Sequence, residues 1–180
     1  GARMLLERVL DGEDWRTANK SVFPEGSFGN GAAMRAAPIG LFYSNRGPTA
    51  LADAAGLAAS ITHAHPLGIE GGVLIARATA LAMRDPFDAT AFLDALLGAA
   101  VAPEYRSRLA TVREWLASPP PAREVRARLG CSVLAHESAV TAVHAFCRRP
   151  DDFDAMMRFV VELGGDTDTI GAMAGPSTGP

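Results

Sequence analysis

Small side chains at helical spacing constrain this chain more than any other feature. Ala32, Ala33, Ala36 and Ala37 recur one turn apart, and Ala52, Ala54, Ala55, Ala58 and Ala59 do so again. Side chains this small let helices approach closely. No stretch carries the alternating apolar pattern, bounded by turn residues, that marks a strand. The expectation is therefore a compact all-α fold packed around one core. A chain of 180 residues is long enough to bury such a core within one domain. No internal repeat and no second domain is visible, so residues 1–180 read as a single helical domain.

The periodicity predicts helices over residues 3–10, 48–63, 67–83, 88–99, 103–116, 122–129, 137–147 and 151–163. Residues 30–43 are apolar with Arg35 embedded, and Pro38 either kinks that helix or breaks it. Residues 13–25 lack a clear period and read as a loop anchored by Trp15 and Phe23. Ser118-Pro119-Pro120-Pro121 is a stiff connection. A last helix opens near Thr169 and soon meets Pro176.

Composition removes several classes of function. The chain is 48% hydrophobic and 21% charged, which is globular rather than disordered. Its formal net charge of -3 lacks the basic field that a nucleic-acid partner requires. The apolar stretch 67–83 is interrupted by Glu70 and Arg77, which fits a buried helix and not a membrane span. Neither nucleic acid nor membrane is expected as a partner. The first residues, Gly1-Ala2-Arg3, lead into an ordinary amphipathic stretch without the pattern of a secretory leader. Cys131 and Cys147 lack metal-type spacing and have apolar neighbours, as reduced core residues of a cytoplasmic protein would. The absent initiator Met and the stop shortly after an acidic turn suggest a piece of a longer protein.

Three stretches carry chemistry. In Gly164-Gly165-Asp166-Thr167-Asp168-Thr169-Ile170 the glycines let the backbone turn sharply, and Asp166 or Thr167 can cap the helix that follows. Two acids and a hydroxyl then converge, as a hard divalent cation requires. A polar turn and cap without metal is the alternative. Gly26-Ser27-Phe28-Gly29-Asn30-Gly31 feeds a predicted helix start. Amides gathered there suit a phosphate, and Phe28 at the edge can stack on a base. A tight turn with Asn30 as cap and Phe28 as hydrophobic staple is the alternative. His63 and His65 stand at a helix end before Pro66, as a weak metal pair, as cations on a negative helix end, or as a hydrogen-bonding contact to a ligand.

In this order, residues 27–35, Thr62-His63 with Pro66 and Gly68, Glu137-Ser138, and residues 164–170 resemble the ADP-ribosylglycohydrolases over nearly the whole chain. The resemblance implies an all-α fold and a two-metal centre of Mg2+ or Mn2+. It implies hydrolysis at the distal ribose of ADP-ribose, released from modified proteins or small conjugates. By the same resemblance Asp166, Asp168 and Thr169 are metal ligands. Ser27, Phe28, Gly29, Asn30 and Gly31 form the diphosphate and adenine loop, and His63 lies near the diphosphate and ribose. The family pattern also includes an N-terminal Gly-Asp motif with a nearby acid and a Thr-Asp-Asp run, and nothing here matches either. The other metal ligands and the general acid or base are therefore expected in an N-terminal part outside this chain, and no catalytic residue is assigned within it.

Overall fold

A computed structural model describes residues 2–177. They form eleven α-helices: α1 (Ala2–Leu10), α2 (Trp15–Val22), α3 (Ala37–Tyr43), α4 (Pro48–Ser60), α5 (Pro66–Ala82), α6 (Ala89–Ala99), α7 (Pro103–Glu114), α8 (Ala122–Leu129), α9 (Ala135–Arg148), α10 (Phe153–Leu163) and α11 (Thr167–Ala174). Short 3-10 turns occupy Ala33–Arg35 and Gly175–Ser177. Among the described residues the sole β-type pairing is an isolated antiparallel bridge between Gly29 and Leu134. The fold is all-α, as the helical spacing predicts.

Local chemistry sets the helix starts. Proline opens α4, α5 and α7, where its missing N–H costs no hydrogen bond. Asp14, Asp88 and Asp152 cap α2, α6 and α10 by accepting from first-turn amides.

Helix α5 runs through the middle, against α3, α4 and α9. Its small residues make the approach possible. A Cβ on Gly40 of α3 would meet the Ala76 carbonyl, and one on Gly72 would lie 3.1 Å from Ala59 Cβ. The core continues through Leu93, Leu96, Tyr105, Leu109, Val125, Leu129, Met156, Leu163 and Ile170, all fully buried. Each buried Leu or Ile contributes about 1.5–3 kcal/mol. Phe87, Phe92 and Phe146 pack edge to face at 5.0–5.5 Å between centroids. Tyr105 donates its hydroxyl to the Leu67 carbonyl at 2.7 Å, so its polar end is satisfied inside the core.

Two expectations change and one open alternative is decided. Residues 13–25 are not a loop, because α2 occupies most of the segment. Its helix is mostly polar, with Trp15, Ala18 and Val22 aligned along one face. It holds through the Asp14 cap, buried Ala18, and the Asn19 amide donating to the Ser60 carbonyl at 2.7 Å. Trp15 is half-buried and Phe23 is exposed, so neither anchors it deeply. At Pro38 the break holds and not the kink: a 3-10 turn precedes α3, which starts with Pro38 in its first turn. Cys147 is half-buried while Cys131 is buried, and both are free thiols.

Candidate functional site

The glycine loop is fastened to the start of α9. Asn30 donates its amide to the Val133 carbonyl at 2.9 Å, and Ala135 donates to the Phe28 carbonyl at 3.0 Å. These two bonds are the Gly29–Leu134 bridge. Gly26 has a φ of +81° and lies so close to His65 that a Cβ would meet its backbone nitrogen. Only glycine fits there. The amides of Phe28 and Gly31 make no hydrogen bond to other described residues. The loop thus has open donors, but not at the end of a long helix. Only a three-residue 3-10 turn follows, so its amides and not a helix dipole would hold an anion.

Asn30 is not a helix cap, and the nitrogen of its side chain is already engaged. Its side-chain nitrogen donates to Ser138 Oγ at 3.0 Å and to Asp166 Oδ2 at 2.6 Å. Ser138 donates in turn to the Leu134 carbonyl at 3.0 Å. One buried amide thereby joins the loop, α9 and the acidic turn across 136 residues of sequence.

The acidic turn is shaped by Gly164 and Gly165, with φ of +67° and +76°. A Cβ at Gly165 would strike the Cys131 carbonyl, which accepts from the Asp166 amide at 2.9 Å. Asp166 is the N-cap residue of α11, but its side chain makes no capping bond because Asn30 holds it. Asp168 is exposed in the first turn of α11, where the positive helix end favours a carboxylate. Thr169 is 6% exposed, and its hydroxyl makes no hydrogen bond to the described residues.

His63 is 7% exposed beneath the loop. Its Nδ1 lies 2.7 Å from Thr62 Oγ1, and its Nε2 faces the backbone of Gly29 and Gly31. Burial, with the Arg35 guanidinium beside it, pushes His63 down to about 4, so the ring is neutral at pH 7. Phe28 is 41% exposed and tilts against the His65 ring at 5.1 Å. His65 itself caps α5 by accepting from the Leu67 amide at 3.1 Å. Glu137 is occupied structurally, accepting from the amide and hydroxyl of Ser132 at 3.2 and 2.7 Å.

Asp166, Asp168 and Thr169 offer two carboxylates and a hydroxyl. Among the described residues, no cluster of three or more His, Cys, Asp and Glu side chains is placed to hold a metal ion. This donor set suits one hard cation completed by water and ligand oxygens. A pair of cations needs more protein oxygens than these. Spacing alone missed Ser138 as a partner of Asn30, since nothing local joins residues 108 positions apart.

A family model described as ADP-ribosylglycohydrolase matches residues 1–179. The human and bovine proteins named ADP-ribosylhydrolase ARH3 are each 36% identical to this chain over 184 residues, covering 86% of it and 50% of each relative. An Escherichia coli protein named YegU is 30% identical over 159 residues, 81% of this chain and 47% of that protein. A solved structure titled ADP-ribosylglycohydrolase-related protein complex aligns with a TM-score of 0.71 at 30% identity, covering 98% of this chain and 56% of that one. The chain spans about half the length of the curated relatives it matches. With the family model matched along almost its full length, this chain belongs to the ADP-ribosylglycohydrolase family.

Proposed function

We propose that residues 1–180 are one domain of a metal-dependent hydrolase that releases ADP-ribose from modified proteins or small conjugates, cleaving the glycosidic bond at the distal ribose. The observation that carries this reading is the Asn30 amide, which donates to both Ser138 and Asp166. It brings the anion-suited loop and the acidic turn to one place. The open amides of Phe28 and Gly31 suit the diphosphate, and the exposed ring of Phe28 suits adenine. Asp166, Asp168 and Thr169 would hold Mg2+ or Mn2+ near the distal ribose. A bound ion of this kind supplies Lewis acidity and lowers the pKa of a coordinated water.

Within this chain, Asn30 orients Asp166 and leaves its second carboxylate oxygen uncommitted. Ser27 braces the loop, its hydroxyl 3.4 Å from the Gly29 amide. No general acid or base is assigned here. A cytoplasmic setting is consistent with two free thiols, one of which, Cys147, burial pushes up to about 12. No helix of the described residues is long and apolar enough to cross a membrane.

Calorimetric titration of ADP-ribose, with magnesium and then with EDTA, tests the proposal. Binding strengthened by magnesium supports it, and absence of binding in both conditions overturns it. That no cluster of three His, Cys, Asp or Glu side chains forms among the described residues supports a second reading, a non-catalytic ADP-ribose-binding module. Binding of equal strength in EDTA, with no hydrolysis, would select that reading.

A further inference from the structure

Beneath the glycine loop, Arg35, Thr62 and His63 form a hydrogen-bonded series. The Arg35 guanidinium donates to the Gly31 carbonyl at 2.7 Å, to the Ala58 carbonyl at 3.2 Å and to Thr62 Oγ1 at 2.5 Å. Arginine can only donate. The Thr62 oxygen therefore accepts there, and its own proton is left to give. Among the described residues, one acceptor lies within reach of that proton, His63 Nδ1 at 2.7 Å. Reversing the bond, with Nδ1–H donating to Thr62, would leave the hydroxyl proton no partner but solvent at this half-buried residue. The arrangement that places every proton puts the histidine proton on Nε2.

Nε2 points where the loop has no side chains. A Cβ built on Gly31 would lie 3.5 Å from it and 3.2 Å from Cε1, and one on Gly29 would lie 4.0 Å from it. The nitrogen makes no hydrogen bond to other described residues. It is an N–H beside a backbone stretch that also presents the free Phe28 and Gly31 amides.

We infer that Arg35 and Thr62 are positioning residues that lock His63 as the Nε2–H tautomer, so that it donates to an anionic oxygen of the ligand held by residues 27–31. This rests on the reading of the loop as an ADP-ribose site. The same Arg35 ties the Gly31 carbonyl, so loop shape and histidine tautomer are set by one guanidinium. A ligand that offers only donors at this point would be rejected, because an N–H and two amides would all face it without an acceptor.

Nitrogen-15 spectra of the ligand-free protein read the tautomer directly. The unaltered chain should show protonated Nε2 and unprotonated Nδ1 for His63. Thr62→Val keeps the shape and removes the hydroxyl, and it should move the ring toward a mixture of tautomers. Thr62→Ser should restore the original pattern. ADP-ribose titrated in EDTA should bind Thr62→Val about five- to tenfold more weakly, as expected for one lost hydrogen bond, and Thr62→Ser nearly normally. Protonated Nδ1 in the unaltered chain overturns the inference, as does Thr62→Val with unchanged spectrum and affinity. Should ADP-ribose fail to bind at all, the ligand assignment falls while the spectra still decide the tautomer.

Discussion

The glycine loop and the acidic turn meet at Asn30, yet they are finished to different degrees. The loop is fastened by two backbone bonds to residues 133–135, by Arg35 at Gly31, and by close packing of Gly26 on His65. Its open amides are already in place. The acidic turn has an equally fixed backbone, from paired glycines and the Cys131 carbonyl, but its functional atoms are sparse. Asp168 is exposed, the Thr169 hydroxyl is unpartnered, and Asp166 has one oxygen committed to Asn30. Backbone donors for an anion can be assembled from a short segment. A cation site needs several side-chain oxygens brought from different segments. One region can therefore be preorganised by this chain, while the other, as the cation site proposed above, would hold only part of a donor set.

Breaking the turn's backbone should have the largest effect. Gly165→Ala forces a Cβ into the Cys131 carbonyl at a φ of +76°. We expect a loss of about 2–4 kcal/mol in urea unfolding. Magnesium should then no longer strengthen ADP-ribose binding, while binding in EDTA survives wherever the chain stays folded.

Acid separates stability from loop function. His144, buried against Trp115 and Phe159 with Arg148 nearby, is pushed down to about 4 by burial first and that charge second. Unfolded histidine titrates near 6.5. Between those values the unfolded chain binds more protons than the folded one. Stability should therefore fall as pH drops from about 6.5 to about 4, by up to about 3 kcal/mol from His144 alone, and level off below. Urea midpoints at several pH values check this, and His144→Leu should make the acid limb shallower, His63 supplying part of what remains. Because His63 also stays neutral down to about 4, ADP-ribose binding in EDTA should change little between pH 8 and pH 5.5.

Asn30→Ala tests the link itself. It leaves Ser138 and Asp166 without their shared donor and should cost about 1–3 kcal/mol in stability. ADP-ribose affinity should fall both with and without magnesium, because both regions lose alignment. Asp168→Ala sharpens the contrast at the small end. The residue is exposed and holds no hydrogen bond within the described chain, so stability should move by no more than about 0.5 kcal/mol. Only the magnesium-dependent part of ADP-ribose binding should disappear, and equal loss in EDTA would contradict the separation of the two regions.

Much of the fold was legible because its signals are local. The alanine runs and Pro48, Pro66 and Pro103 at helix starts all act within a turn of the residues they organise. Helix α2 was hard to read because its eight residues are mostly polar, so the short face of Trp15, Ala18 and Val22 is a weak signal, and its stability comes from contacts such as Asn19 with Ser60. The break before α3 was half legible: Pro38 announced a disturbance, but whether the helix bends or restarts depends on what packs around it. In the site, residues 27–31, His63 and residues 166–169 stood out by their chemistry. Their roles toward one another did not.

What the sequence by itself determined is the set of elements and the kinds of chemistry available. Helical period, proline placement, and glycines ahead of acids are properties of neighbouring residues. Only the tertiary structure decided that Asn30 spends its amide on Ser138 and Asp166 instead of capping a helix. Only it turned Arg35 and Thr62 toward His63, and tied Glu137 to Ser132. A side-chain amide or carboxylate has several partners open to it, and burial beside one of them removes the competing choice of water.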